Sequence, residues 1–356
     1  MKSLERFAVD ADTRPISSVV TSLEAHESQV ARPNTTDAAE ILTHLAEAYR
    51  RIGQFRSALK LYSKGLRMWT RLGVEYRICW CLWGIGTTLR VAGKLRDCIP
   101  WLRAAAQVAR SCGERRCYLW AQAEMAECLR IVGERRGALR DHLDLRHEFG
   151  QMGDLKGVCW AHAGIAQIYR MEGNHPGAMQ SYSAALLTAG EAHDLVNAGY
   201  ALRGLAEIAK ESGDTSMAWV LGHSALDHFR HKGYPTGEAY ALKTLADVAA
   251  RSGQVPEAIS LAERSVLLFQ EIGKPRGIAF ALKTQADVVA LFDAPEAARR
   301  LYDEARRRFL QLGIRNLAGF DPARAASMLK AGQRTPISPF RGRLLNLSCP
   351  TDALLT

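Results

Sequence analysis

The chain has 356 residues, 47% hydrophobic and 24% charged, with a formal net charge of +10. That is apolar material enough for a core, but no uncharged apolar run reaches the ~18 residues a membrane helix needs, so no membrane span is expected. Met1 to Ala11 carries charges early and no apolar stretch, so no secretory signal is expected, and the eight cysteines read as reduced structural thiols of a cytoplasmic protein.

In chain order, residues 1–36 form an N-terminal segment in which 17–31 read as one amphipathic capping helix. From residue 37 to 317 the sequence repeats every 40 residues. Glycine falls at Gly53, Gly93, Gly133, Gly173, Gly213 and Gly253, with Asp293 seventh. A second series runs Gly73, Gly113, Gly153, Gly233, Gly273 and Gly313, with His193 in its gap. Such a period means stacked copies of one supersecondary unit. In residues 239–277, Ala241, Leu242, Leu245, Ala246 and Ala249 mark one face of helix A. Gly253 ends that helix, because a C-cap needs left-handed backbone. Pro256 opens helix B, where its missing N–H is harmless, and Gly273 closes it. Pro100 lies inside the second helix B and is expected to distort it. Residues 318–331 read as a C-terminal capping helix opened by Asp321-Pro322, and 332–356 as a flexible basic tail.

Small residues recur at two levels, in helix A from Ala46 through Gly86 to Ala286 and in helix B from Ala58 through Cys98 to Ala298. They let two helices approach closely while Leu45, Ile85, Met125, Ile165, Leu205 and Leu245 fill the groove, with Gln285 the exception. Leu42, Leu45-Ala46, Tyr49, Ala58, Tyr62 and Gly65 in the first unit resemble the tetratricopeptide repeat (TPR) family. So do Ile165-Ala166, Tyr169, Ala178, Tyr182 and Ala185 in the fourth, where His162 departs from the pattern. The spacing of 40 resembles a long-helix variety of that repeat. The resemblance implies an all-α, right-handed superhelical solenoid of about seven helix-turn-helix repeats with capping helices.

In that family helix A lines the concave face, so the resemblance implies that ligand contacts come from equivalent helix A positions. The first such position gives Trp80, Trp120, Trp160, Tyr200, Tyr240, Phe280 and Phe320; the second gives Trp83, Arg203, Lys243 and Lys283. The third gives Glu47, Thr87, Glu127, Gln167, Glu207, Asp247 and Asp287, and the fourth Arg50, Arg90, Arg130, Arg170 and Lys210. Trp80 is out of phase with the core stripe Ile78, Cys81, Leu82 and Ile85, and large aromatics off the core face are informative. Each row also has a structural reading. Arg203–Glu207, Lys243–Asp247 and Lys283–Asp287 are i,i+4 pairs that support a solvated helix. The fourth-position cations sit near helix C-termini, where the dipole favours them, and the rings are also suited to packing between repeats.

No phosphate-binding glycine loop, nucleophile elbow or metal-ligand spacing accompanies these rows, so no catalytic residue, metal or cofactor is expected. Asp141, His142, Asp144, His147 and Glu148 read as a surface cluster, since histidines five apart diverge around a helix. The expected function is a protein–protein interaction scaffold that binds a peptide segment of a partner, with acidic and apolar anchors, in the groove. The chain's own basic tail is a second candidate occupant. The alternative is a small-molecule sensor or an enzyme using the same cavity. Nucleic acid ranks last as a partner, because the charge is spread along the repeats with no recognition motif.

Overall fold

The computed structural model describes residues 15–29, 35–291, 295–312 and 314. Every element among them is a helix. An initial helix α1 (Ile16–Gln29) is followed by seven hairpins. The A helices are α2 (Thr36–Arg51), α4 (Glu75–Val91), α6 (Arg115–Val132), α8 (Leu155–Met171), α10 (Leu195–Glu211), α12 (Pro235–Arg251) and α14 (Pro275–Ala290). The B helices are α3 (Phe55–Leu72), α5 (Leu95–Ser111), α7 (Arg135–Gln151), α9 (His175–Glu191), α11 (Thr215–Lys232), α13 (Val255–Ile272) and α15 (Pro295–Gln311). The positions of Asp293, Gly313 and Phe320, the proposed capping helix at 318–331 and the tail lie outside the described residues.

Backbone sterics explain the punctuation. Eleven of the repeat glycines have φ between 61° and 100°, the left-handed region where a Cβ is penalised. His193 takes φ 50° in the same role, the one described non-glycine residue with positive φ. Side-chain caps close several helix starts: Asp194 accepts from the N–H groups of Val196 and Asn197, and Asn174 from that of Gly177. Helix α5 runs unbroken through Pro100. The proline sits near the helix start, so its cost is confined to one early backbone bond.

The described residues group into two compact units. The first comprises the chain up to Gly157 together with His231–Thr236 and Ile272–Lys274; the second comprises the remainder. In the first unit α1 covers the open side of α2, with Ile16, Val19, Val20 and Leu23 packed on Leu45 and Ala48. One further core holds Ala46, Ala58, Tyr62, Ile85, Cys98, Leu102 and Cys128. Its counterpart in the second unit holds Ala166, Ala178, Tyr182, Leu205, Ile208, Ala218 and Val248. These are the small and large registers of the repeat, and each fully buried leucine contributes about 1.5–3 kcal/mol. The seven described cysteines are free thiols, and all but Cys112 are buried.

Large rings in B helices occupy space left by glycine in the A helices. A Cβ on Gly84 would lie 2.3 Å from the Tyr62 ring, and one on Gly204 2.3 Å from Tyr182. Phe149, Phe229 and Phe269 press in the same way on Gly157, Gly237 and Gly277, the next A helix in each case.

Candidate functional site

The helix A aromatic register is neither sealed nor free. Trp80, Trp83, Trp120, Trp160, Tyr200, Tyr240 and Phe280 are all half-buried. One edge of most of these rings rests on a buried phenylalanine 29 residues later. Trp120 meets Phe149 at 5.2 Å between centroids, Tyr200 meets Phe229 at 5.1 Å, and Tyr240–Phe269 and Phe280–Phe309 each stand at 4.8 Å. Tilted and edge-to-face contacts at these distances stabilise aromatic pairs beyond area burial. These four rings therefore pack the hairpin with one side and leave the other side partly open.

In the first unit the rings form a corner. Trp80 and Trp83 stand at 5.4 Å and 80°, and Trp83 and Trp120 at 6.4 Å and 70°. The Arg50 guanidinium lies 5.6 Å over the Trp83 ring. Asp154, which the sequence reading passed over, fixes one wall. Its carboxylate accepts from Trp120 Nε1 (3.1 Å), Arg116 Nε (2.9 Å) and the Gly157 N–H (3.1 Å), so a helix cap also orients an indole.

The fourth-position cations are all paired. Arg50 forks onto Glu47 at 2.8 and 2.5 Å, and Arg130 onto Glu127 at 2.7 and 2.5 Å, the bidentate geometry that guanidinium favours. Where the third position is Thr87 or Gln167, the acid comes from the next A helix of the same unit: Arg90 bonds Glu124, and Arg170 bonds Glu211 at 2.5 Å. Burial alone would raise the Glu47 carboxyl, but Arg50 and Arg51 hold it well below the usual carboxylate range. The Tyr62 hydroxyl, which donates to Glu47 Oε2 at 2.7 Å, is pushed up by burial and by that carboxylate.

Of the pairs expected as solvated helix supports, Lys243–Asp247 and the Glu207 carboxylate are instead parts of a buried network in the second unit. Glu207 is 4% exposed and Lys210 6%. Lys210 Nζ bonds Glu207 at 2.5 Å and Asp247 at 3.2 Å, Lys243 bonds Asp247 at 2.7 Å and Glu207 at 3.4 Å, and Thr244 donates to Glu207 at 2.8 Å. The residues alternate between α10 and α12, so the network joins two repeats rather than bracing one helix. Burial raises the Asp247 carboxyl, but Lys243 and Lys210 outweigh it and bring it down to about 2. Glu207 is likewise held low by Lys210, Lys243, Arg170 and Arg203 against its own burial. Lys283 closes a separate pair on Asp287 at 2.7 Å, with the Tyr302 hydroxyl as a further donor.

Arg203 is the loosest cation of the set. Its nearest carboxylate oxygen, on Glu207, is 3.9 Å away, and its buried Nε has no hydrogen-bond partner. The guanidinium lies 5.5 Å over Tyr240 and 5.9 Å over Tyr200. It is thus held by two ladder rings while keeping donor capacity for another group.

A cleft of about 670 Å³ opens between α5 and α6, lined by Arg103, Ala106, Arg110, Tyr118, Gln122 and Met125 among others. Arg110 and Gln122 both donate to the Tyr118 hydroxyl, at 2.9 and 3.1 Å. It exists because two core registers change: Ala106 stands where Leu66, Leu186 and Leu226 stand elsewhere, and Gln122 replaces Leu42, Leu82 and Leu202. Those two departures were readable signals. Another was Glu124, 3% exposed, at a register that beyond His44 is held by small residues such as Gly84, Gly204 and Thr244.

His142 is fully buried, a correction to its reading as part of a surface cluster. It stands in the register of Tyr62, Tyr182 and Tyr302, which point inward onto helix A. Burial brings its imidazole down to about 4. Elsewhere in that cluster Glu148 pairs with Arg115 and Asp141 with Arg140. Among the described residues no group of histidine, cysteine and carboxylate side chains could hold a metal, and no helix is long and apolar enough to cross a membrane.

No protein-family model and no curated protein matches the chain. Its likeness is to solved structures. Aspartyl phosphate phosphatase F from Bacillus subtilis is 14% identical, with a TM-score of 0.57 over 76% of this chain and 70% of that one. A Rap protein complexed with Competence and Sporulation Factor is 12% identical, with a TM-score of 0.54 over 93% of this chain and 97% of that one. At such identities the likeness is one of fold. The chain is a solenoid of the tetratricopeptide type, built from seven described hairpins.

Proposed function

We propose that the chain is a protein-interaction scaffold whose A helices take an extended segment of a partner. The observation that carries this reading is the aromatic register of α4, α6, α8, α10, α12 and α14, half-open in each of these six helices while the core registers beside it are buried. Rings and arginines dominate binding energy when they gather on one surface. A solenoid of matching fold, the Rap protein, holds Competence and Sporulation Factor, which supports a recognition role for this architecture.

The paired cations refine the partner's chemistry. Arg50, Arg90, Arg130, Arg170 and Lys210 already carry carboxylates, so they present little net field to a ligand. Apolar and aromatic side chains of the partner rest on the open ring faces, and one acidic group engages Arg203. The basic tail, with Phe340 to Leu347, is an intramolecular competitor for the same surface.

Selection from a library of 12-residue peptides on the full chain tests this reading. We expect enrichment of peptides with apolar anchors and an acidic residue. Trp120→Ala should weaken a selected peptide about tenfold or more, and Arg203→Ala should remove the acidic preference. If no peptide is enriched, or both variants bind as the parent does, the reading is wrong.

A further inference from the structure

The positive charge, spread evenly along the sequence, is not spread evenly over the fold. Helix α3 carries five cations and no carboxylate, α5 three against one and α7 four against three, a net +8 on the B helices of the first unit. The later B helices α9, α11, α13 and α15 sum to zero. On α3 every exposed side chain from residue 55 to 69 is a cation: Arg56, Lys60, Lys64 and Arg67, and Arg71 continues the line one turn on. No carboxylate pairs with Arg56, Lys60, Arg67 or Arg71 among the described residues. Like charges one turn apart oppose the helix. The exposed Arg56, Arg96 and Arg136 sit in the first turns of α3, α5 and α7, where the dipole disfavours a cation. The arrangement works against helix stability, so stability does not explain it.

We infer that the B-helix face of the first unit binds single-stranded nucleic acid. The line from Arg56 to Arg71 is about 22 Å long by helix rise, long enough to follow several successive phosphates of one strand. Arginine, the commoner cation in the line, matches phosphate geometry bidentately. The neighbouring α5 supplies what a duplex or a bare membrane headgroup would not use. Trp101 is 36% exposed there. At the registers of Arg67 and Arg71 stand Gln107 and Ser111, on the lip of the cleft that holds Tyr118 under the Arg110 guanidinium. An unstacked base lies against such planar groups, and Gln122 offers an amide for its edge. This face is distinct from the helix A register, and the inference does not rest on the peptide reading.

Fluorescence anisotropy of a labelled 20-nucleotide single strand with the full chain tests it. Affinity should fall about a hundredfold between about 50 and about 200 mM salt, the slope expected for roughly five phosphate contacts. Arg56→Gln, Lys60→Gln, Arg67→Gln and Arg71→Gln together should abolish measurable binding with the far-UV spectrum unchanged and melting no lower than the parent's, because all four are exposed and repel one another. Removing Arg299, Arg300, Arg306 and Arg307 of α15, an equal loss of charge, should leave the affinity within about twofold. The inference is overturned if the α3 variant binds as the parent does, or if the α15 variant loses as much. It is equally overturned if duplex, phosphatidylserine vesicles or polyglutamate bind as tightly as the single strand.

Discussion

His193 shows how far one residue can depart from the repeat and still serve it. Eleven described turns use glycine at positive φ, and this one uses an imidazole-bearing residue at φ 50°. The left-handed region costs an L-residue about 1–2 kcal/mol, part of which glycine returns through its freer unfolded chain. His193→Gly should therefore raise unfolding stability by about 0.5–1 kcal/mol, read as a higher urea midpoint at constant m-value; an unchanged or lower midpoint would contradict it. The gap at residue 193 was legible in the sequence because every other member of the series named its role. Asp154 was not, since its carboxylate bonds an indole 34 residues earlier and nothing local announces that contact. The aromatic register lies between these cases. Its phase on helix A was readable, but the buried phenylalanines that take one edge of Trp120, Tyr200, Tyr240 and Phe280 come from helix B.

Hairpins, as elements, followed from the period of 40 and its glycines, and the described helices start and stop where those residues fall. What joins one hairpin to the next was harder to see. Arg90–Glu124, Lys210–Asp247 and Arg170–Glu211 lie 34, 37 and 41 residues apart. Those separations reflect the offset between stacked A helices, which propensity and periodicity do not encode. Pairs with a buried partner, such as Arg90–Glu124 and Lys210–Asp247, are costly to break, about 3–5 kcal/mol when one partner is removed. His142 gives a pH test of the A–B contact in the third hairpin, where it packs from α7 toward Glu127 and Arg130 of α6. Its imidazole titrates at about 4 when folded and near 6.5 when unfolded. The contribution is therefore full above pH ~6.5 and is lost as pH falls toward 4. The loss is about 3 kcal/mol by linkage. His142→Tyr, which restores the residue of Tyr62 and Tyr182, should flatten stability between pH 6.5 and 4; an unaltered slope would show that another group carries it.

At the scale of the molecule, the sequence disclosed an α-solenoid but not the sorting of its surface. A count of +10 spread over 356 residues looks uniform, and only folding gathers a net +8 onto α3, α5 and α7 while pairing Arg50, Arg90, Arg130, Arg170 and Lys210 with carboxylates of the A helices. The two sets of helices then have separate chemistries, rings and neutralised charge on the A helices and an excess of exposed cations on the first three B helices. The account rests most heavily on the first. Photo-crosslinking of a library-selected peptide to the full chain, with Tyr240→benzoylphenylalanine on helix A or Leu267→benzoylphenylalanine on the exposed side of helix B, tests it directly. The helix A probe should capture the peptide and the helix B probe should not, whereas capture from position 267 alone would place recognition on the wrong face and contradict the account.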